Sequence, residues 1–176
     1  MKYLLVILLV LTSLIGYSPN LCEYKRETEI SLFLAKLREK EVDKEVQKIK
    51  ESEFSKELLK KYMGLVYPNS SKVIIKQFIL ETGWFKSQSF LLYNNICGMK
   101  FPRSRATIAT GKAMGHAKYE HWTDSIDDYM LWKEYHISNG EDTSDYYKFL
   151  NSVGYAEASN YIKILKRINL NRLNIC

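Results

Sequence analysis

From Glu23 to Lys61 the chain contains neither glycine nor proline, and that stretch constrains the fold more than any other. It carries eleven basic and ten acidic residues with leucines and isoleucines between them. A run with no backbone breaker and nearly balanced charge reads as helix, its charges forming a solvated face on a packing or spacer element. "YPNSS" (Tyr67 to Ser71) ends it and supplies Ser or Asn caps for the next helix. That helix is expected from about Ser71 to Thr82, closed by Gly83 as a C-cap. Residues 94–118 hold Gly, Pro, Ser and Thr without helical period, which fits loops and a short hairpin. Helices are expected again at Ser125 to His136, Thr143 to Val153 and Ala156 to Ile168. No internal repeat or low-complexity tract interrupts the pattern. The expected fold is α+β, mostly helical, with a small irregular or β insertion.

The N-terminus bears on location. "MKYLLVILLVLTSLIGYS" has one lysine, an apolar run of about fourteen residues, then small and turn-forming residues, the shape of a secretory signal over residues 1–18. The run is short for a stable membrane span of about twenty residues, an uncleaved anchor being the alternative. Export to the periplasm or cell envelope is therefore expected, and "SPNL" before Cys22 lacks the small pair that lipoprotein processing wants. The net charge of +6 favours an anionic partner. Export makes that partner an envelope polymer and not nucleic acid. A charged helical segment over residues 19–66 is expected to precede a monomeric domain over residues 67–176.

Three cysteines remain after the signal. Cys22 and Cys176, at the two ends of the mature chain, are expected to pair, with Cys97 a small buried hydrophobe. His116, His121 and His136 lack metal-ligand spacing, so neither a metal nor another cofactor is expected, and hydrogen-bonded or surface histidines fit better.

The segment "QFILETGWFKSQSF" (Gln77 to Phe90) raises a question of chemistry. Ile74, Phe78 and Glu81 are spaced i, i+4, i+7 and share one helix face, so the carboxylate ends an apolar stripe beside the C-terminal carbonyls. Desolvation and the helix dipole both disfavour its charge and raise its pKa. A carboxyl held protonated near neutral pH can act as a general acid on a glycosidic oxygen. A structural hydrogen bond or salt bridge accounts for the pattern equally well.

"QFILETGWFKS" followed by "NNICGMK" resembles the glucosaminidase domain of glycoside hydrolase family 73, found in flagellar rod-cap proteins and bacterial autolysins. "HAKYEHWTDSIDDY" (His116 to Tyr129) and "VGYAEASNYIKIL" (Val153 to Leu165) resemble two further blocks of that family, in the same order. The resemblance covers about half the chain, and its last block has Glu-Ala-Ser where the family has Thr-Asp-Pro. It implies a two-lobed, lysozyme-like fold and hydrolysis of the β-1,4 bond after N-acetylglucosamine in peptidoglycan. Carried over by position, Glu81 is the general acid and Tyr155 and Tyr161 are the site tyrosines, with core packing as the alternative for each. Trp84 and Asn95 are expected to shape the groove floor and Tyr119 to line the groove or pack the lobe, while Asn94 and Ser87 fit a structural role equally well.

One departure matters. Several family members have a second acid in the small lobe, yet Thr82 to Tyr119 contains no Asp or Glu. It holds six basic residues instead, Lys86, Lys100, Arg103, Arg105, Lys112 and Lys118, which suits an electropositive groove for peptidoglycan carboxylates. Glu120 is the nearest candidate base, whereas Asp124, Asp127 and Asp128 fit a helix start, with Asp124 as its cap. A one-acid mechanism is the preferred expectation, with attack by the substrate's acetamido group or a positioned water. A muramidase or lytic transglycosylase on the same scaffold, and a non-catalytic peptidoglycan-binding module, are the alternatives.

Overall fold

The computed structural model describes residues 21–156 and 158–173. The expected signal at residues 1–18 and the Cys22–Cys176 pairing lie outside the described residues. Helix α1 (Leu21–Lys50) runs across two compact units, residues 1–45 and 46–176. In the first unit residues 27–41 of α1 are exposed throughout, the solvated helix that its charge pattern predicts.

In the second unit the charged stretch does not continue as one helix. It breaks after Lys50 and restarts as α2 (Lys56–Val66), although no glycine or proline intervenes. Serine chemistry makes the break: Ser52 Oγ donates to Lys48 O at 2.7 Å, and Ser55 caps α2 by accepting from Leu58 N at 3.1 Å. Between them Phe54 turns inward, its ring centroid 5.0 Å from Phe85, 4.9 Å from Phe90 and 5.5 Å from Trp122. Ile49, Leu59, Tyr62 and Met63 are buried, so the compact unit starts at Val46, ahead of the expected boundary at residue 67.

Five more α-helices follow among the described residues: α3 (Lys72–Glu81), α4 (Gln88–Tyr93), α5 (Trp122–Ser138), α6 (Tyr146–Ser152) and α7 (Tyr161–Arg167). A 3₁₀ turn (Leu170–Leu173) comes last. Ser71 caps α3 as expected, accepting from Val73 N. Asp124 does not cap α5. His121 does: its Nδ1 accepts from Thr123 N at 3.3 Å, while Asp124 Oδ2 accepts from His121 N at 3.1 Å, closing a capping box. The other ring nitrogen of His121 meets Ser52 O at 2.9 Å, which accounts for this histidine structurally. Ile74 and Phe78 of α3 join Ile126 and Tyr129 of α5, Phe149 of α6 and Leu165 of α7 in the core. Each such side chain contributes about 1.5–3 kcal/mol on leaving water.

The small lobe is a hairpin of β1 (Gly111–Ala113) and β2 (His116–Lys118), antiparallel, with Ala113 opposite His116. Met114 and Gly115 turn it with φ of 49° and 82°, the left-handed pair of a tight hairpin. Three-residue strands cannot hold themselves, and Asp128 supplies an anchor. Its buried carboxylate takes both terminal nitrogens of Arg105 at 3.0 and 2.9 Å, Tyr119 Oη at 2.8 Å and Ile108 N at 3.1 Å. Burial pushes the Asp128 pKa upward, but Arg105 and Tyr119 outweigh it and hold the carboxyl below its usual range. Arg105 is therefore not a groove cation. Nor is Asp127 a helix-start residue, since it accepts from Tyr62 Oη at 2.6 Å and Tyr67 Oη at 2.7 Å.

Candidate active site

Glu81 is the last residue of α3, and Tyr161 the first of α7. The two helices pack together, and Tyr161 Oη donates to Glu81 Oε1 at 2.7 Å. Glu81 is half-buried beneath the apolar stripe of Ile74 and Phe78 that the sequence spacing predicts. Burial raises its pKa, while the Tyr161 hydroxyl and the nearby His116 pull it part of the way back. The net direction is upward, as a general acid requires.

The other carboxylate oxygen faces backbone. Gly98, at φ +66°, comes so close that a Cβ built on it would lie 2.6 Å from Glu81 Oε2. Only glycine fits there, both for its left-handed backbone and for the space. The "NNICGMK" segment thus forms the wall behind the acid. Asn95 holds that wall, donating to Met99 O and Ala117 O at 2.8 Å each and accepting from Met99 N at 2.9 Å. Asn95 is buried and its amide is committed to backbone, so it shapes the site from behind instead of forming a groove floor. Tyr119 likewise packs the lobe, buried on Asp128.

Tyr155 stands behind the Glu81–Tyr161 pair. Its hydroxyl donates to Cys97 O at 2.9 Å, and its ring lies 5.9 Å from that of Tyr161 and 5.1 Å from that of Trp132. It steadies both the Gly98 wall and Tyr161. Cys97 is buried and free, as expected of a small core hydrophobe. Asn94 serves structure, donating to Glu120 O at 2.8 Å, and Ser87 caps α4. The Glu120 side chain itself is exposed.

After α3 the chain makes an unusual turn. Gly83, Trp84 and Phe85 are all left-handed, with φ of 52°, 65° and 65°. Such a conformation costs a non-glycine residue about 1–2 kcal/mol. Thr82 offsets part of that by binding the turn: its carbonyl accepts from Lys86 N at 2.9 Å and Ser87 N at 2.8 Å, and its hydroxyl from Phe85 N at 2.9 Å. The turn leaves Trp84 54% exposed while Phe85 packs on Phe54. A separate cleft lined by Phe54, Phe85, Leu91 and His121 includes neither Glu81 nor the two tyrosines.

A half-buried protonatable glutamate, fixed by a tyrosine and backed by glycine, is arranged to deliver a proton. The glucosaminidase family model, described as mannosyl-glycoprotein endo-β-N-acetylglucosaminidase, matches residues 46–173. The chain belongs to this family. No curated protein and no solved structure matches it. The match starts at the same residue as the second compact unit. This glucosaminidase is a glycoside hydrolase, and its mostly helical fold with one small hairpin agrees with the lysozyme-like architecture the resemblance implies. Among the described residues no helix is long and apolar enough to cross a membrane, and no cluster of His, Cys, Asp and Glu could hold a metal ion.

Sequence reasoning placed Glu81, Tyr155 and Tyr161, and the structure brings all three together. The fold also puts His116, on β2, near the glutamate. Its sequence context gave only a histidine in a loop.

The Tyr161 bond makes a testable statement about pH. A general acid works only when protonated, so with Glu81 in that role activity is expected to fall as pH rises through the Glu81 pKa. Tyr161 stabilises the charged form, and Tyr161→Phe is expected to raise that pKa further. The alkaline limb of the kcat profile should move to higher pH in the variant. A limb that stays put would separate Tyr161 from the titration of Glu81.

Proposed function

We propose that this protein is an exported peptidoglycan hydrolase that cleaves the β-1,4 bond after N-acetylglucosamine, with Glu81 as the general acid. The observation that carries the reading is the Glu81–Tyr161 pair at 2.7 Å, with the carboxyl pKa raised by burial, inside a chain of the glucosaminidase family. Glu81 gives its proton to the leaving glycosidic oxygen as the C1–O bond breaks, which relieves the departing sugar of negative charge. Tyr161 holds the carboxyl at one oxygen and stabilises the carboxylate that remains. Exposed Trp84 offers an aromatic face for a sugar ring. Exposed Lys86, Arg103, Lys112 and Lys118 suit the lactyl and stem-peptide carboxylates of peptidoglycan. The apolar N-terminal run supports export, and the net charge supports an envelope polymer as partner.

Glu81 is the acid, and the attacking group is the substrate's acetamido oxygen or a positioned water. Glu120 is exposed and takes no part in that step. Clearing of purified peptidoglycan tests the reading: the wild type should solubilise it, and Glu120→Gln should retain activity within about tenfold, a surface charge being worth about 1 kcal/mol or less. A folded but inactive Glu120→Gln would bring back a mechanism with two carboxylates.

A further inference from the structure

Resting on peptidoglycan as the substrate, we propose that a basic cleft at the end of α3 opposite Glu81 holds the acidic peptide stems of that polymer, as a binding site apart from the reaction centre. Lys72 and Lys76 of α3 and Lys166 and Arg167 of α7 line this cleft of about 590 Å³, and no Asp or Glu lines it. Among the described residues none of the four is in an ion pair. Lys166 Nζ lies 5.1 Å from the centre of the Tyr147 ring, another part of the lining, and meets it as a cation on an aromatic face.

Helix stability accounts for only part of this cluster. The dipole favours cations in a last turn, which suits Lys166 and Arg167. Lys72 stands at the opposite kind of end, the first turn of α3, where an acid is favoured and none is present. Lys76 follows one turn later on the same face and adds like charge. Four cations gathered at one place repel one another, and an anion entering the cleft relieves them all at once.

The rest of the lining selects among anions. Asn169 Oδ1 accepts from Asn171 N at 3.0 Å, which leaves the Asn169 NH₂ to donate to a ligand. Val73 and Ile168, both buried, form an apolar floor. Donors around an apolar floor suit carboxylates carried on a short peptide with aliphatic side chains, whereas a bare phosphate gains nothing from the floor. Position supports the same ligand. The Glu81–Tyr161 bond joins the last residue of α3 to the first of α7. The cleft joins the first residue of α3 to the last of α7, so the two helices run antiparallel with a site at each end. At a rise of about 1.5 Å per residue, roughly 14 Å of helix separate Lys72 from Glu81. About four extended peptide residues cover that length. A strand at the acid can therefore place its peptide in the cleft.

Calorimetric titration of the full chain with stem peptide released from purified peptidoglycan tests the site without any turnover. The peptide should bind, and the side-chain amide signals of Asn169 and Asn171 should shift in nitrogen–proton NMR spectra of the complex. Lys72→Gln combined with Arg167→Gln removes one exposed charge from each helix. It should weaken binding by about tenfold or more with an unchanged melting temperature. Amidating the peptide carboxylates should weaken binding comparably. The double variant should also raise KM for intact peptidoglycan and leave cleavage of glycan strands stripped of peptide unchanged. No binding, equal affinity of the double variant or of the amidated peptide, or tighter binding of inorganic phosphate would each overturn the cleft as a peptide-stem site. The hydrolase reading is judged apart. A chain that binds the peptide through this cleft but leaves peptidoglycan uncut refutes that reading, and one that cuts peptidoglycan without binding the peptide refutes only the site.

Discussion

Glu81→Gln should lose on the order of 10⁴-fold in peptidoglycan turnover, the upper end of the range for removing a general acid. Glutamine keeps the volume and still accepts the Tyr161 hydroxyl, but it has no proton to give. Folding should be unchanged or slightly improved, and the sign follows from the pKa. A carboxyl whose folded pKa is raised destabilises the fold at pH above its unfolded value, because its charged form prefers water. Glutamine carries no charge and removes that cost at neutral pH. Thermal melts beside the turnover assay make the comparison, and a well-folded variant with near-normal turnover would refute the assignment.

Gly98→Ala should also lower activity, less severely and by a different route. The added methyl group would fall 2.6 Å from Glu81 Oε2, well inside contact distance, on a residue whose φ is +66°. The left-handed backbone alone costs alanine about 1–2 kcal/mol. Relief of the clash must move the carboxylate or the wall, and a displacement of about 1 Å at a reacting group can cost roughly 10²-fold in rate. Lower melting temperature together with lower kcat is the expected result. An alanine variant with wild-type rate would show that the wall does not position Glu81.

The stripe of Ile74, Phe78 and Glu81 was legible in the sequence because helical period alone puts those residues on one face. The Ser71 cap was legible too, since its chemistry is local. The break at residues 51–55 was not: no glycine or proline marks it, and serines become a break only where the distant aromatic cluster receives Phe54 between them. Asp127 and Asp128 looked like helix-start residues because they stand near one, yet their partners Tyr62, Tyr67, Arg105 and Tyr119 come from elsewhere in the chain. The same reason hid His116. Its place near Glu81 arises from a hairpin docked through the Ala117 N–H on Met99 O, a contact that no local pattern encodes.

Mass spectrometry of the fragments released from purified peptidoglycan tests the central claim most directly. Cleavage after N-acetylglucosamine leaves that sugar at the new reducing end, and this is the predicted product, absent from a Glu81→Gln digest. Fragments ending in reducing or anhydro-N-acetylmuramic acid would contradict the account and make the protein a muramidase or a lytic transglycosylase.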